Sequence, residues 1–211
     1  PYTSAATGAG EVLVLGRGGE SLTALTVSTS VRVQGWEVTG LANVVDEKCV
    51  RVNFLAGWRY IQVHEGVRIE QQQFRFTPGA AIAQTADQFD AHNRFHGGQL
   101  GLHANVRRGV VFCEMTGKVA FGQNYEVVKA EGQTNLMTGG LPVFQSYGGS
   151  GIYVQPSNFG RTASGVFAVL PEGTVKLGLR IGDAGRFYVG YSFIYLSDAV
   201  RPGDQIDRTL Y

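Results

Sequence analysis

The stretch from Thr174 to Leu196 limits the possible folds of this chain more than any other. It reads as two strands joined by the tight turn Gly182-Asp183-Ala184-Gly185. On the first arm Val175, Leu177, Leu179 and Ile181 share one face, and Thr174, Lys176, Gly178, Arg180 and Gly182 share the other. On the second arm Phe187, Val189, Tyr191, Phe193 and Tyr195 fall together, opposite Gly190 and Ser192. Successive strand side chains point to opposite faces, so this is sheet with one apolar side and one polar, partly cationic side. Such a hairpin belongs to a membrane barrel or to a soluble barrel or sandwich.

The pattern occurs twice more. From Val31 to Val63, the return arm sets Val50, Val52, Phe54, Ala56, Trp58 and Tyr60 against Arg51, Asn53, Gly57 and Arg59, after the turn Asp46-Glu47-Lys48. From Phe95 to Phe121, Leu100, Leu102, Ala104 and Val106 alternate with Gln99, Gly101, His103 and Asn105. After the turn Arg107-Arg108-Gly109, Val111, Cys113, Met115, Val119 and Phe121 alternate with Glu114, Thr116 and Lys118. The connections between hairpins, His64 to Arg94 and Gly122 to Ser164, are far longer than the turns within them. A meander built this way has short turns at one end and long loops at the other, as outer-membrane barrels do. Val67 to Phe76 and Tyr125 to Ala130 read as extended, so the loops are expected to open as strand extensions. In the first thirty residues, the poorly defined part, Glu11 to Gly16 and Leu22 to Val27 are candidate strands around the turn Gly16-Arg17-Gly18-Gly19.

Length and composition narrow the reading. A chain of 211 residues suits one all-β domain over 1–211. Its longest apolar runs fall well short of the ~20 residues of a membrane helix, while barrel strands need only about ten of alternating character. Charged residues are 17% of the chain, against about 25% in ordinary soluble domains. A net charge of +1 argues against a nucleic-acid partner, which needs a clustered basic face. Cys49 and Cys113 have no metal-ligand spacing, and their pairing is left open. The chain opens at Pro1 with no signal peptide, as expected of a processed or truncated product.

Periodicity does not say whether the apolar faces form a core or meet lipid. Three features favour lipid. The polar faces hold glycines such as Gly57, Gly101, Gly178 and Gly190 in place of a dense Lys/Glu cover. Aromatic residues (Trp58, Tyr60, Phe121, Phe187 and Tyr195) gather near the ends of the apolar faces, as at a membrane interface. The asymmetry of the connections has no reason to exist in a sandwich. The competing reading is a soluble secreted β-barrel or sandwich acting as a binding or assembly module.

Two runs carry a family resemblance. One is Phe95-His96-Gly97-Gly98-Gln99-Leu100-Gly101-Leu102. The other is Phe187 to Asp198 (FYVGYSFIYLSD), continued by Val200 to Asp207 (VRPGDQID). With the weaker segments Leu55 to Tyr60 and Val166 to Glu172, they resemble the "beta-barrel porin-7" family of outer-membrane barrels, found chiefly in planctomycete bacteria. The resemblance spans roughly Val31 to Asp207. It implies an antiparallel up-and-down transmembrane β-barrel, or a large part of one, in the outer membrane of a Gram-negative-type bacterium. It supplies no catalytic or ligand residues. Members usually carry further strands at both ends, so closure by this chain alone is left open.

On this reading Phe54, Trp58, Leu100, Leu102, Val175, Leu177, Leu179, Tyr191 and Phe193 are the lipid-facing candidates. Arg51, Arg59, Gln99, His103, Glu114, Lys118, Lys176 and Arg180 are the lumen candidates, with Glu37 as a further carboxylate. A cationic lining favours anions. Alternatively, Arg and Glu pair and plug the interior, because a barrel of about eight strands is filled by its own side chains; six strands are clear here and two are doubtful. His92 and His96, near Asp87 and Asp90, match no ligand spacing and read as a polar surface loop. Ser146 to Gly151 reads as an outer loop, and Arg201-Pro202-Gly203-Asp204 as the turn that stops the sixth strand. No G-x-S-x-G elbow or phosphate loop is present. The expectation is a non-enzymatic, porin-like or structural protein with no cofactor and no metal. Its partner is membrane lipid, and a homo-oligomer or other envelope proteins are open as further partners.

Overall fold

The computed structural model describes residues 2–4, 10–11, 21–75, 81–138, 141–149, 151–181, 185–206 and 209–210. Six strands form an antiparallel meander: β3 (Ser21–Asp46), β4 (Val50–Arg75), β5 (Ala81–Arg108), β6 (Val111–Thr138), β8 (Gly160–Ile181) and β9 (Gly185–Ile194). Here β1 (Tyr2–Ser4), β2 (Gly10–Glu11) and β10 (Thr209–Leu210) make a small separate sheet. β7 (Leu141–Gly148) pairs with β6 over Gln133 to Thr138, beyond the point where β8 takes over at Ala130. No α-helix occurs among the described residues.

The three tight turns lie at one end, between Asp46 and Val50, Arg108 and Val111, and Ile181 and Gly185. Gly109 supplies the left-handed conformation of the second, at φ 61°. Residues 182–184 of the third lie outside the described residues, but their flanks Ile181 and Gly185 are paired. The segments read as long loops are mostly strand. β4 continues unbroken to Arg75 and pairs residue by residue with β5 back to Ala81. Strands of 26 and 28 residues reach about 85–95 Å at roughly 3.3 Å per residue. His92 and His96 therefore lie in a strand, not in a loop. Ser146 to Gly148 close β7, and the expected strand at Leu22 to Val27 is the start of β3. The turn expected at residues 16–19 lies outside the described residues.

The sixth strand also ends earlier than its sequence suggests. β9 stops at Ile194, so Tyr195 is outside the strand and Pro202 opens a short 3-10 turn, Pro202–Gln205. The proline does not stop the ladder. The chain has already left the sheet to run along its inner surface, because two side chains there bind its backbone. Asn93 donates to the Val200 carbonyl at 2.8 Å and accepts from the Val200 N–H at 2.9 Å. Asn124 donates to the Asp198 carbonyl at 3.2 Å.

Candidate functional site: a two-faced wall with an ion-paired waist

Register fixes which residues share a face. Glu37, Arg59, Gly97, Gly122 and Ala168 are successive partners across five strands, as are Leu41, Leu55, Gly101, Lys118 and Glu172. Arg59 on β4 and Glu172 on β8 are three strands apart, about 14 Å along a flat sheet, yet their side chains form an ion pair. Lys118 on β6 meets Glu37 on β3, again three strands away, at 2.9 Å. Contacts of this span require the sheet to be bowed, with these residues on its concave face.

The concave face carries a closed charge cluster. Lys118 binds Glu37 at 2.9 Å and Glu172 at 3.1 Å, and Arg59 binds Glu37 at 3.2 Å as well as Glu172. Gln99 donates to Glu37 at 3.1 Å and to Thr39 at 2.6 Å. Two cations meet two carboxylates, and the Lys118 side chain is 9% exposed. Directly beyond lies a dry layer of Ile61, Phe95, Ala120, Ala168 and Leu170, against which Leu196 packs. On the turn side of the cluster a groove of about 380 Å³ is lined by His103, Glu114, Thr116, Thr174 and Lys176.

All eight lumen candidates fall on this concave face, but the structure gathers only Arg59, Gln99 and Lys118 into one cluster. His103 bonds Thr116 at 2.9 Å, and Glu114 accepts from Asn105 at 3.0 Å. Arg51 pairs with Asp46 near the turn, and the Lys176 ammonium lies over the Tyr188 ring at 5.4 Å. Arg180 stands opposite Arg186. Three residues of the concave polar network were not among the lumen candidates: Thr39, Glu172 and Arg186. Glu172 was legible, because it keeps the two-residue phase of Thr174 and Lys176.

The convex face is apolar in one band. Val38, Trp58, Gly98, Phe121 and Val169 form its first level, and Val50, Val106, Cys113, Leu177 and Val189 a level near the turns. All nine lipid-facing candidates lie on this face and are 40–73% exposed. Rings mark the border of the band away from the turns. Trp36 stacks on Tyr60, and His96 stacks between Trp58 and Tyr125, with centroids 5.8–6.1 Å apart.

Past that border the two faces exchange character. On β5 the concave residues Phe89, Ala91 and Phe95 are fully buried, while Gln88, Asp90, His92 and Arg94 hold the convex face. The concave surface there is covered by residues 151–159 and 195–206. Asp87, 1% exposed, accepts from the N–H groups of Ile152 at 3.0 Å and Val154 at 2.9 Å. Burial raises the Asp87 carboxyl above its ordinary pKa against these bonds. Tyr153 and Ile206 pack on a core of Phe89, Ala130 and Val154. On the convex side His64 and His92 stack at 3.7 Å. Burial, then the neighbouring His64, hold His92 below its usual range.

An antiparallel up-and-down wall, greasy outside and polar inside over one band, is the architecture of a membrane barrel. Residues 7–211 match the family model described as "Putative beta barrel porin-7". The chain belongs to that family. Membership in the porin-7 family supports membrane association and a porin-like role. No curated protein matches the sequence. Within the described residues β3 and β9 are edge strands not paired with each other, so this porin-7 chain presents an open barrel-like arc. Cys49 and Cys113 are free thiols.

Proposed function

We propose that the convex band is a lipid-facing wall, and that the chain is an outer-membrane β-barrel protein of porin-like or structural role without enzymatic activity. The exchange of the apolar face carries this reading. A soluble sheet keeps its apolar face toward one core along its whole length. Here the apolar face is outside for the nine residues from Gly98 to Val106 and inside from Phe89 to Phe95. Nine residues is the length of a tilted strand crossing a bilayer. The ring border then sits where interfacial aromatics belong, and the paired core beyond it projects into water.

On this reading the lumen is narrowed at the Glu37–Arg59–Lys118–Glu172 waist, whose charges cancel. Toward the turns the concave face is cationic. There Arg51, Arg107, Lys176, Arg180 and Arg186 outnumber Asp46 and Glu114 among the described residues. Any conductance is therefore small and weakly anion-preferring. A reversal potential measured across a planar bilayer under a salt gradient tests this, and cation selectivity contradicts it. Detergent dependence tests the membrane reading itself. The chain should aggregate without detergent and become monodisperse with it, whereas a chain monodisperse in plain buffer defeats the proposal.

A further inference from the structure

We infer that the convex face just beyond the aromatic border carries a binding belt for the phosphate groups of anionic lipid headgroups; this rests on the membrane reading above. Three arginines make it. Arg94 lies one level past the border level of Trp36, Tyr60 and His96; Arg32 lies two levels past it; Arg161 lies three. All three are exposed, and none has a carboxylate partner among the described residues. The carboxylate within these levels is Asp90, which faces His64 at 3.7 Å. The other Lys and Arg cations of the convex face past the border, Lys129 on the level of Arg161 and Arg68 one level further out, are already neutralised among the described residues. Lys129 pairs with Glu131 at 2.7 Å, and Arg68 with Glu70 at 2.6 Å. On the convex face past the border, the guanidinium groups without a carboxylate partner among the described residues are thus the three that follow the interfacial rings, and headgroup phosphates lie at that depth. A guanidinium binds phosphate through two parallel N–H donors, which suits this position better than an ammonium would.

The test compares the full chain with the triple variant Arg32→Ser, Arg94→Ser, Arg161→Ser. Each is diluted from urea into vesicles of phosphatidylcholine alone, or of phosphatidylcholine with phosphatidylglycerol. The fraction inserted is read by protection from protease. The unsubstituted chain should enter the anionic vesicles on the order of tenfold better than the neutral ones, as expected for several cations near an anionic surface. The triple Ser variant should lose that preference and still enter neutral vesicles, and a triple Arg→Lys variant should keep most of it. Should the Ser variant fail to fold in detergent, salt decides: the unsubstituted chain's preference must weaken as ionic strength rises. Equal preference in the unsubstituted chain and the Ser variant, or a salt-independent preference, overturns the belt. Inorganic phosphate that abolishes the preference where chloride of equal ionic strength does not reassigns the site to free phosphate, and so overturns the lipid assignment. A chain that enters neither vesicle overturns the membrane reading along with the belt.

Discussion

Gly97 and Gly98 are neighbours in sequence and opposites in surroundings. A side chain at Gly97 would meet the Phe121 carbonyl oxygen within 2.2 Å, and one at Gly122 would meet the His96 oxygen within 2.0 Å. At Gly98, on the convex face, nothing lies within 4 Å. The concave wall is bare here because strands bowed this tightly have no room for Cβ atoms. Gly97→Val should therefore cost about 2 kcal/mol in urea unfolding from detergent, the scale of overpacking. Gly98→Val should stay within about 0.5 kcal/mol, as surface changes do. Equal costs would contradict the assignment of the faces. The waist gives a second residue-level test. Glu172→Gln leaves Arg59 and Lys118 sharing Glu37 alone, and should destabilise by about 1–3 kcal/mol, less than a fully buried pair because Glu37 remains and the site is part-exposed. Alternation alone assigned Arg59, Gln99 and Lys118 to the polar faces, which the membrane reading turned inward. It did not place Glu172 beside them, because a contact across three strands depends on curvature, and curvature has no signature in a two-residue period.

At the scale of elements, the hairpins legible in the sequence were those within the apolar band. Their continuations were read as long loops that open as strand at Val67 to Phe76 and Tyr125 to Ala130, where β4 does run on to Arg75 and β6 to Thr138. The rest of their length was not read as strand because the apolar phase changes between Phe95 and Leu100, and a search for one continuous alternation stops at such a change. The covering segments have no periodicity at all. They are held by single polar side chains: Asp87 for residues 152–154, and Asn93 and Asn124 for residues 198–200. Asn93→Ala should speed hydrogen exchange at the Val200 amide while leaving the β4–β5 ladder protected. Two groups give opposite pH signatures. Asp87 has a native pKa raised above 3.8, so the folded state holds its proton more tightly. Its contribution to stability falls as pH rises from about 4 through the native value, and Asp87→Asn removes that slope. His92 has a native pKa lowered from 6.5, so its contribution is present above about pH 6.5 and is lost as pH falls and the unfolded chain takes up the proton. Urea midpoints against pH for the Asp87→Asn and His92→Gln variants separate the two.

At the scale of the whole molecule, the open edges of β3 and β9 are a physical demand, because lipid offers no hydrogen bonds to an unpaired strand. The edges must be closed by pairing, within one chain or between copies, and the particle mass in detergent distinguishes the two. The sequence conveyed the meander, its trimmed end and the apolar band. It did not convey the closed waist or the reversal of faces. The central claim is that the convex face of this band meets lipid while the concave face does not. The most direct measurement places a single cysteine, in a background with Cys49 and Cys113 replaced by serine, at Leu102 or Leu177 and, separately, at their neighbours His103 or Lys176. Each variant carries a polarity-sensitive dye in refolded vesicles with and without brominated lipid. Emission should be blue-shifted and bromine-quenched at Leu102 and Leu177, and unquenched at His103 and Lys176. Unquenched emission at Leu102 and Leu177, or quenching at the concave positions instead, would contradict the central claim.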